Sequence, residues 1–143
     1  MKKDKILKLI WIILFCIYGT AIYAQQVIHP KAGAPGTWRL MGSVQAKHTA
    51  DHDAIVVAGP YDHFRRLKFK VTSAPLTMKS MIVTYDDHGL PEKINTRFDI
   101  PPGGESRVID LKGGSRKIRT VEFWYETKGF LNGKANVTLF GVK

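Results

Sequence analysis

The chain has 143 residues, with 22 Lys and Arg against 12 Asp and Glu, and one cysteine. A single cysteine excludes an internal disulfide framework, and the length leaves room for one sizeable core but not two, because domains commonly run ~100–150 residues. The formal charge of +10 favours partners such as phosphate-bearing lipid, acidic polysaccharide or nucleic acid, and it equally keeps a small domain soluble.

Residues 1–24 read as an export signal. Lys2, Lys3, Lys5 and Lys8 form a basic n-region, Leu9 to Ile17 a short apolar h-region, and Gly19, Thr20, Ala21 and Ala24 supply small residues before Gln25. The apolar stretch from Leu9 to Tyr23 contains Gly19 and Thr20 and falls short of the ~20 residues that span a bilayer, which favours cleavage after Ala24 over an uncleaved anchor. Cys16 follows the bulky Phe15, a poor setting for lipoprotein acylation. The mature chain then starts at Gln25 without a thiol, which suits a bacterial envelope, periplasmic or extracellular, better than an animal secretory pathway. Four lysines and one aspartate leave with the signal, so the cationic excess persists, and no transmembrane segment is expected after cleavage.

Residues 25–36, with Pro30, Gly33, Pro35 and Gly36, have little apolar periodicity and read as an extended leader to a single domain at 37–143. Strand signals follow closely. Trp38, Leu40, Val44 and Ala46 keep one even-numbered phase, Ala54 to Ala58 is an apolar run, and Leu67, Phe69 and Val71 alternate with Arg66, Lys68 and Lys70, which means one face buried and one wet. From Leu76 to Tyr85 the apolar phase slips between Met78 and Met81, predicting a β-bulge near Lys79-Ser80. Asp86-Asp87-His88-Gly89 is a turn; Ile94, Thr96, Phe98 and Ile100 alternate; Pro101-Pro102-Gly103-Gly104 stops that strand. Val108 to Leu111, Val121 to Thr127 and Ala135 to Val142 complete the set, divided by Gly113-Gly114 and by Leu131-Asn132-Gly133, whose Asn-Gly pair marks a hairpin turn. No window holds a helical period over three turns. About eight short strands predict an all-β fold, an antiparallel β-sandwich with jelly-roll or barrel as variants.

Basic residues concentrate between Gly103 and Thr127: Arg107, Lys112, Arg116, Lys117 and Arg119. With Gly113-Gly114 as a two-residue hairpin turn, Ile109 lies opposite Ile118, Asp110 opposite Lys117, Leu111 opposite Arg116 and Val108 opposite Arg119. One reading is a cross-strand ion pair with arginine stems covering the sheet edge, worth ~0.2–1 kcal/mol per pair. The other is an anion site in which guanidinium forks and the turn's backbone N–H groups hold a phosphate, sulfate or carboxylate.

Within this segment Ser106, Arg107, Ile109, Asp110 and Leu111 precede the glycine turn, and Arg116, Ile118, Val121, Phe123 and Tyr125 follow it. The run S-R-x-I-D-L, glycine turn, R-x-I, V-x-F-x-Y resembles small exported bacterial proteins of unknown function. The resemblance is strongest over residues 103–127 and looser from Trp38 to Val83. It implies a β-sandwich, no established activity, and no catalytic residues to carry over.

Trp124 points to the face opposite Phe123 and Tyr125. It is either solvent-facing and free to stack on a sugar ring or base, or covered by a loop such as Leu131 to Lys134. His48, Asp51, His52 and Asp53 share one polar loop, with Asp62-His63 and Asp86-Asp87-His88 on neighbouring turns. Mixed His/Asp ligation suits Zn²⁺ better than Ca²⁺, but the spacing matches no ligand pattern, and Asp and His are ordinary turn residues. No nucleophile elbow or phosphate-binding loop is present. The expectation is therefore a non-catalytic envelope domain without a cofactor, binding an anionic polymer or an envelope protein, with no specific nucleic-acid contact. The alternatives are a metal-dependent hydrolase at the His/Asp loops and a structural subunit pairing through a sheet edge.

Overall fold

The computed structural model describes residues 36–47, 52–57, 63–127 and 133–143. Among them nine strands form two antiparallel sheets, the β-sandwich that the strand pattern predicts. They are β1 (Arg39–Gln45), β2 (His52–Val56), β3 (His63–Phe64), β4 (Arg66–Thr72), β5 (Leu76–Tyr85), β6 (Glu92–Ile100), β7 (Ile109–Asp110), β8 (Arg116–Thr127) and β9 (Asn136–Val142). One sheet has the order β1-β9-β4-β7; the other runs β2-β8-β5-β6, with β3 also on β8.

Alternation decides which face each strand buries. In β4, Leu67, Phe69 and Val71 are fully buried while Lys68 and Lys70 lie on the opposite face. In β8, Val121, Phe123 and Tyr125 turn inward at alternate positions, and Ile118 does so across a bulge at Arg119, since Thr84 pairs with Thr120 and Tyr85 with Ile118. Phe69 from one sheet meets Phe123 from the other with ring centroids 5.6 Å apart and tilted by 59°, an edge-to-face arrangement that aromatic quadrupoles favour. The buried Tyr125 hydroxyl donates to Asp53 Oδ2 at 2.7 Å and accepts the Lys47 N–H at 3.0 Å, so its polar end is satisfied inside the core.

Two further bulges correct or complete the strand reading. Met78 pairs with Tyr125 and Ser80 with Trp124, so β5 carries an extra residue, Lys79, where the slipped apolar phase predicts it. In β1 the extra residue is Met41, since Leu40 pairs with Phe140 and Gly42 with Leu139. That bulge breaks the single even-numbered phase expected for Trp38 to Ala46. Ala46 is buried, whereas Leu40 is on the outer face, beside Phe140 in register.

The hairpin expected at Gly113-Gly114 does not form. Ile109 and Asp110 pair with Leu67 and Arg66 of β4, whereas β8 pairs with β2 and β3 on one side and β5 on the other. With both its edges occupied, β8 has no room for β7. The Asn-Gly hairpin fails likewise, because β8 and β9 belong to different sheets; Leu131 and Asn132 lie outside the described residues.

Candidate functional site

The chain changes sheets at two points that lie side by side. Arg65 separates β3, which is on β8, from β4, which is in the other sheet. Leu111 to Ser115 carries the chain from β7 in the β4 sheet to β8 in its partner. Both crossings are pinned through the backbone: the Arg65 N–H donates to the Val142 carbonyl, and the Leu111 N–H donates to the Arg65 carbonyl, each at 2.9 Å. The crossing turn itself needs left-handed backbone at two successive residues, with φ of 81° at Gly113 and 78° at Gly114, a conformation that costs any residue with a Cβ.

Glu92 holds the turn from the opposite sheet. Its carboxylate is nearly buried, accepts the Tyr85 O–H at 2.6 Å and accepts the Lys112 N–H at 3.1 Å. Burial first, and then the bond to Glu92, push the Tyr85 phenol well above its ordinary value. Arg116 closes the far end of the turn. It forks onto Asp87 through Nε at 3.0 Å and Nη2 at 2.9 Å, and its guanidinium lies 3.4 Å from the Tyr85 ring centroid. This arrangement requires glycine at position 89, where a Cβ would collide with the guanidinium. The Arg116 bond and the Gly89 N–H hold the Asp87 carboxyl down at about 2.

Against this framework opens a cleft of about 330 Å³ lined by Arg65, Arg66, Asp110, Leu111 and Gly114. Arg65, Arg66 and Asp110 are exposed. Among the described residues, neither guanidinium has a hydrogen-bond or ion-pair partner on its side chain. Two arginines and one carboxylate at the mouth of a glycine turn are equipped to hold an anionic group, since guanidinium forks match phosphate and carboxylate oxygens.

The expected anion residues are dispersed around this point rather than gathered in it. Arg116 is committed to Asp87. Arg107 lies over the Phe98 ring at 5.1 Å. Lys112 offers its backbone N–H to Glu92, Lys117 sits opposite His63, and the Arg119 carbonyl accepts the Val57 N–H at 2.9 Å. The glycine turn does line a basic cleft, but its cations come from Arg65 and Arg66. A signal was present: inward-facing Phe64 and Leu67 are three residues apart, a break in the period of two that marks the sheet change and leaves two arginines between them.

Trp124 is half-buried on the outer face and stacks on the His52 ring, with centroids 4.5 Å apart and planes inclined by 25°. Leu131 and Asn132 of the loop expected to cover it lie outside the described residues. His52 and Asp53 belong to strand β2 and not to a loop, and they point to opposite faces: His52 Nε2 is 3.3 Å from Glu122, whereas Asp53 accepts from Tyr125. His48 and Asp51 lie outside the described residues. His52 is level with Trp124 and Asp87 is bonded to Arg116, eight residues apart along β8, or ~26 Å at strand rise. Those two polar groups are therefore not brought together. Among the described residues no three His, Cys, Asp or Glu side chains are grouped to hold a metal ion, and no helix is long and apolar enough to cross a membrane.

The family model described as Domain of unknown function (DUF2541) matches residues 9–141. The chain belongs to this family. The DUF2541 match starts inside the apolar N-terminal stretch and includes both sheet crossings and the residues of the cleft. No curated protein and no solved structure matches the chain.

Proposed function

We propose that this protein is an exported, non-catalytic binding domain of a bacterial envelope, and that it engages an anionic ligand at the cleft between its two sheet crossings. The observation that carries the reading is the pairing of Arg65 and Arg66, neither with a side-chain partner among the described residues, with the left-handed Gly113-Gly114 turn around one cleft. The turn is anchored by Glu92 and Arg116, so little conformational freedom is lost when a ligand arrives. Export rests on residues 1–24, and the family's match beginning at residue 9 supports treating that apolar stretch as part of what its members share.

The test is ligand-induced stabilisation with inorganic phosphate and heparin at two salt concentrations. A ligand at 100 times its dissociation constant adds ~2.7 kcal/mol. The shift should shrink at high salt, vanish in the Arg65→Gln/Arg66→Gln variant, and persist in Arg119→Gln. A shift that survives the double substitution refutes the cleft as the site.

A second reading, pairing of a sheet edge with a partner strand, draws on β6, a nine-residue strand that ends its sheet among the described residues. Concentration-dependent self-association in sedimentation would favour it; a monomer across the accessible range would count against self-pairing.

A further inference from the structure

The carboxylate in the cleft narrows the kind of ligand. Arg66 of β4 and Asp110 of β7 are direct cross-strand partners, a register in which opposite charges on one face ordinarily meet. Here they form no ion pair within 4.0 Å, and both line the cleft beside Arg65. A bare phosphate would gain two guanidinium contacts and be opposed by the nearby carboxylate. A ligand that carries an N–H donor a few bonds from its anionic group would meet all three charges at once, the anion on Arg65 and Arg66 and the ammonium on Asp110. Leu111 adds a short apolar surface for the carbons between them, and Gly114, lacking a side chain, leaves the mouth open.

We infer that the cleft takes a zwitterion of the phosphoethanolamine type, an anionic phosphate ester joined by a short carbon linker to a primary ammonium, with Asp110 as the residue that selects it. This rests on the reading of the cleft as an anion site. The same chemistry occurs in a free phosphate monoester and in an ethanolamine phospholipid headgroup, and the geometry is common to both.

Calorimetric titration of the purified protein with O-phosphoethanolamine and with ethyl phosphate, which lacks the amine, tests it. A charge-assisted hydrogen bond predicts about tenfold tighter binding of O-phosphoethanolamine. In Asp110→Asn that preference should fall to about threefold or less, with ethyl phosphate bound as well as before or better, because the exposed Asp110 bears on no core contact. Vesicle sedimentation with phosphatidylethanolamine in phosphatidylcholine, against phosphatidylcholine alone, separates the sources: retention by the ethanolamine lipid assigns the headgroup, and binding of the free ester alone assigns a soluble ligand. Equal affinity for the two esters, or a preference unchanged in Asp110→Asn, overturns the selection while leaving the anion site standing. Binding of neither ester overturns both.

Discussion

Replacing Glu92 with alanine tests whether the crossing turn is tied to the β5–β6 pair through one carboxylate. The side chain accepts the Tyr85 O–H from β5 and the backbone N–H of Lys112 from the crossing turn. Its removal strands two donors, one of them on a tyrosine only 3% exposed. Each unpartnered buried donor costs ~1–3 kcal/mol, so Glu92→Ala should destabilise the protein by ~2–5 kcal/mol, whereas Glu92→Gln, which keeps one carbonyl oxygen, should lose ~1–2 kcal/mol. Domains of this size are stable by ~5–15 kcal/mol, and with urea slopes of ~1–3 kcal/mol per M the alanine midpoint falls by at least ~0.7 M with an unchanged slope. Tyr85→Phe supplies the control. It should be costly in the parent and nearly silent once Glu92 is alanine, a coupling of ~1 kcal/mol or more. A Glu92→Ala stability within ~0.5 kcal/mol of the parent, or an equal cost of Tyr85→Phe in both backgrounds, would refute the tie.

Asp87 is depressed from 3.8 to about 2, first by Arg116 and then by the Gly89 N–H. A depressed carboxylate contributes stability that is complete above its unfolded value and is lost as pH falls through the folded one, so Asp87→Asn should flatten the fall in stability between those two values, as read from urea unfolding across the acid range. Phe123→Ala, which empties a fully buried site against Phe69 and Tyr125, should cost ~3–5 kcal/mol by chemical denaturation. Lys79→Ala, which breaks only the exposed pair with Glu126, should stay within ~1 kcal/mol of the parent in the same assay.

Local chemistry made much of the fold legible. Leu67, Phe69 and Val71 bury at alternate positions as read, and the slip between Met78 and Met81 marks a real bulge. What eluded the sequence was partner choice. The hairpin register set Ile109 against Ile118 and Asp110 against Lys117, gains of ~0.2–1 kcal/mol per pair. Burying Ile109 from one sheet, Leu111 at the crossing and Ile118 from the other sheet outweighs them, since one fully buried aliphatic side chain is worth ~1.5–3 kcal/mol. The same long-range decision hid the cleft. Arg65 and Arg66 lie 48 and 47 residues before Gly113 in the chain, and nothing local to either segment says that they meet. The Met41 bulge escaped because Gly42, with no side chain, leaves the phase of β1 unmarked.

Strand order carries a consequence for synthesis. β9, the last of the described strands in chain order, lies between β1 and β4, and β8, the strand before it, lies between β2 and β5. One layer cannot close until β9 has been made and the other not until β8 has, and among the described strands only β5 and β6 are both sequence neighbours and sheet partners. The growing polypeptide therefore has few sheet partners to fold onto before β8 and β9 emerge. For the export proposed above, a chain whose layers pair this late would still be slack enough to be threaded through a translocation pore.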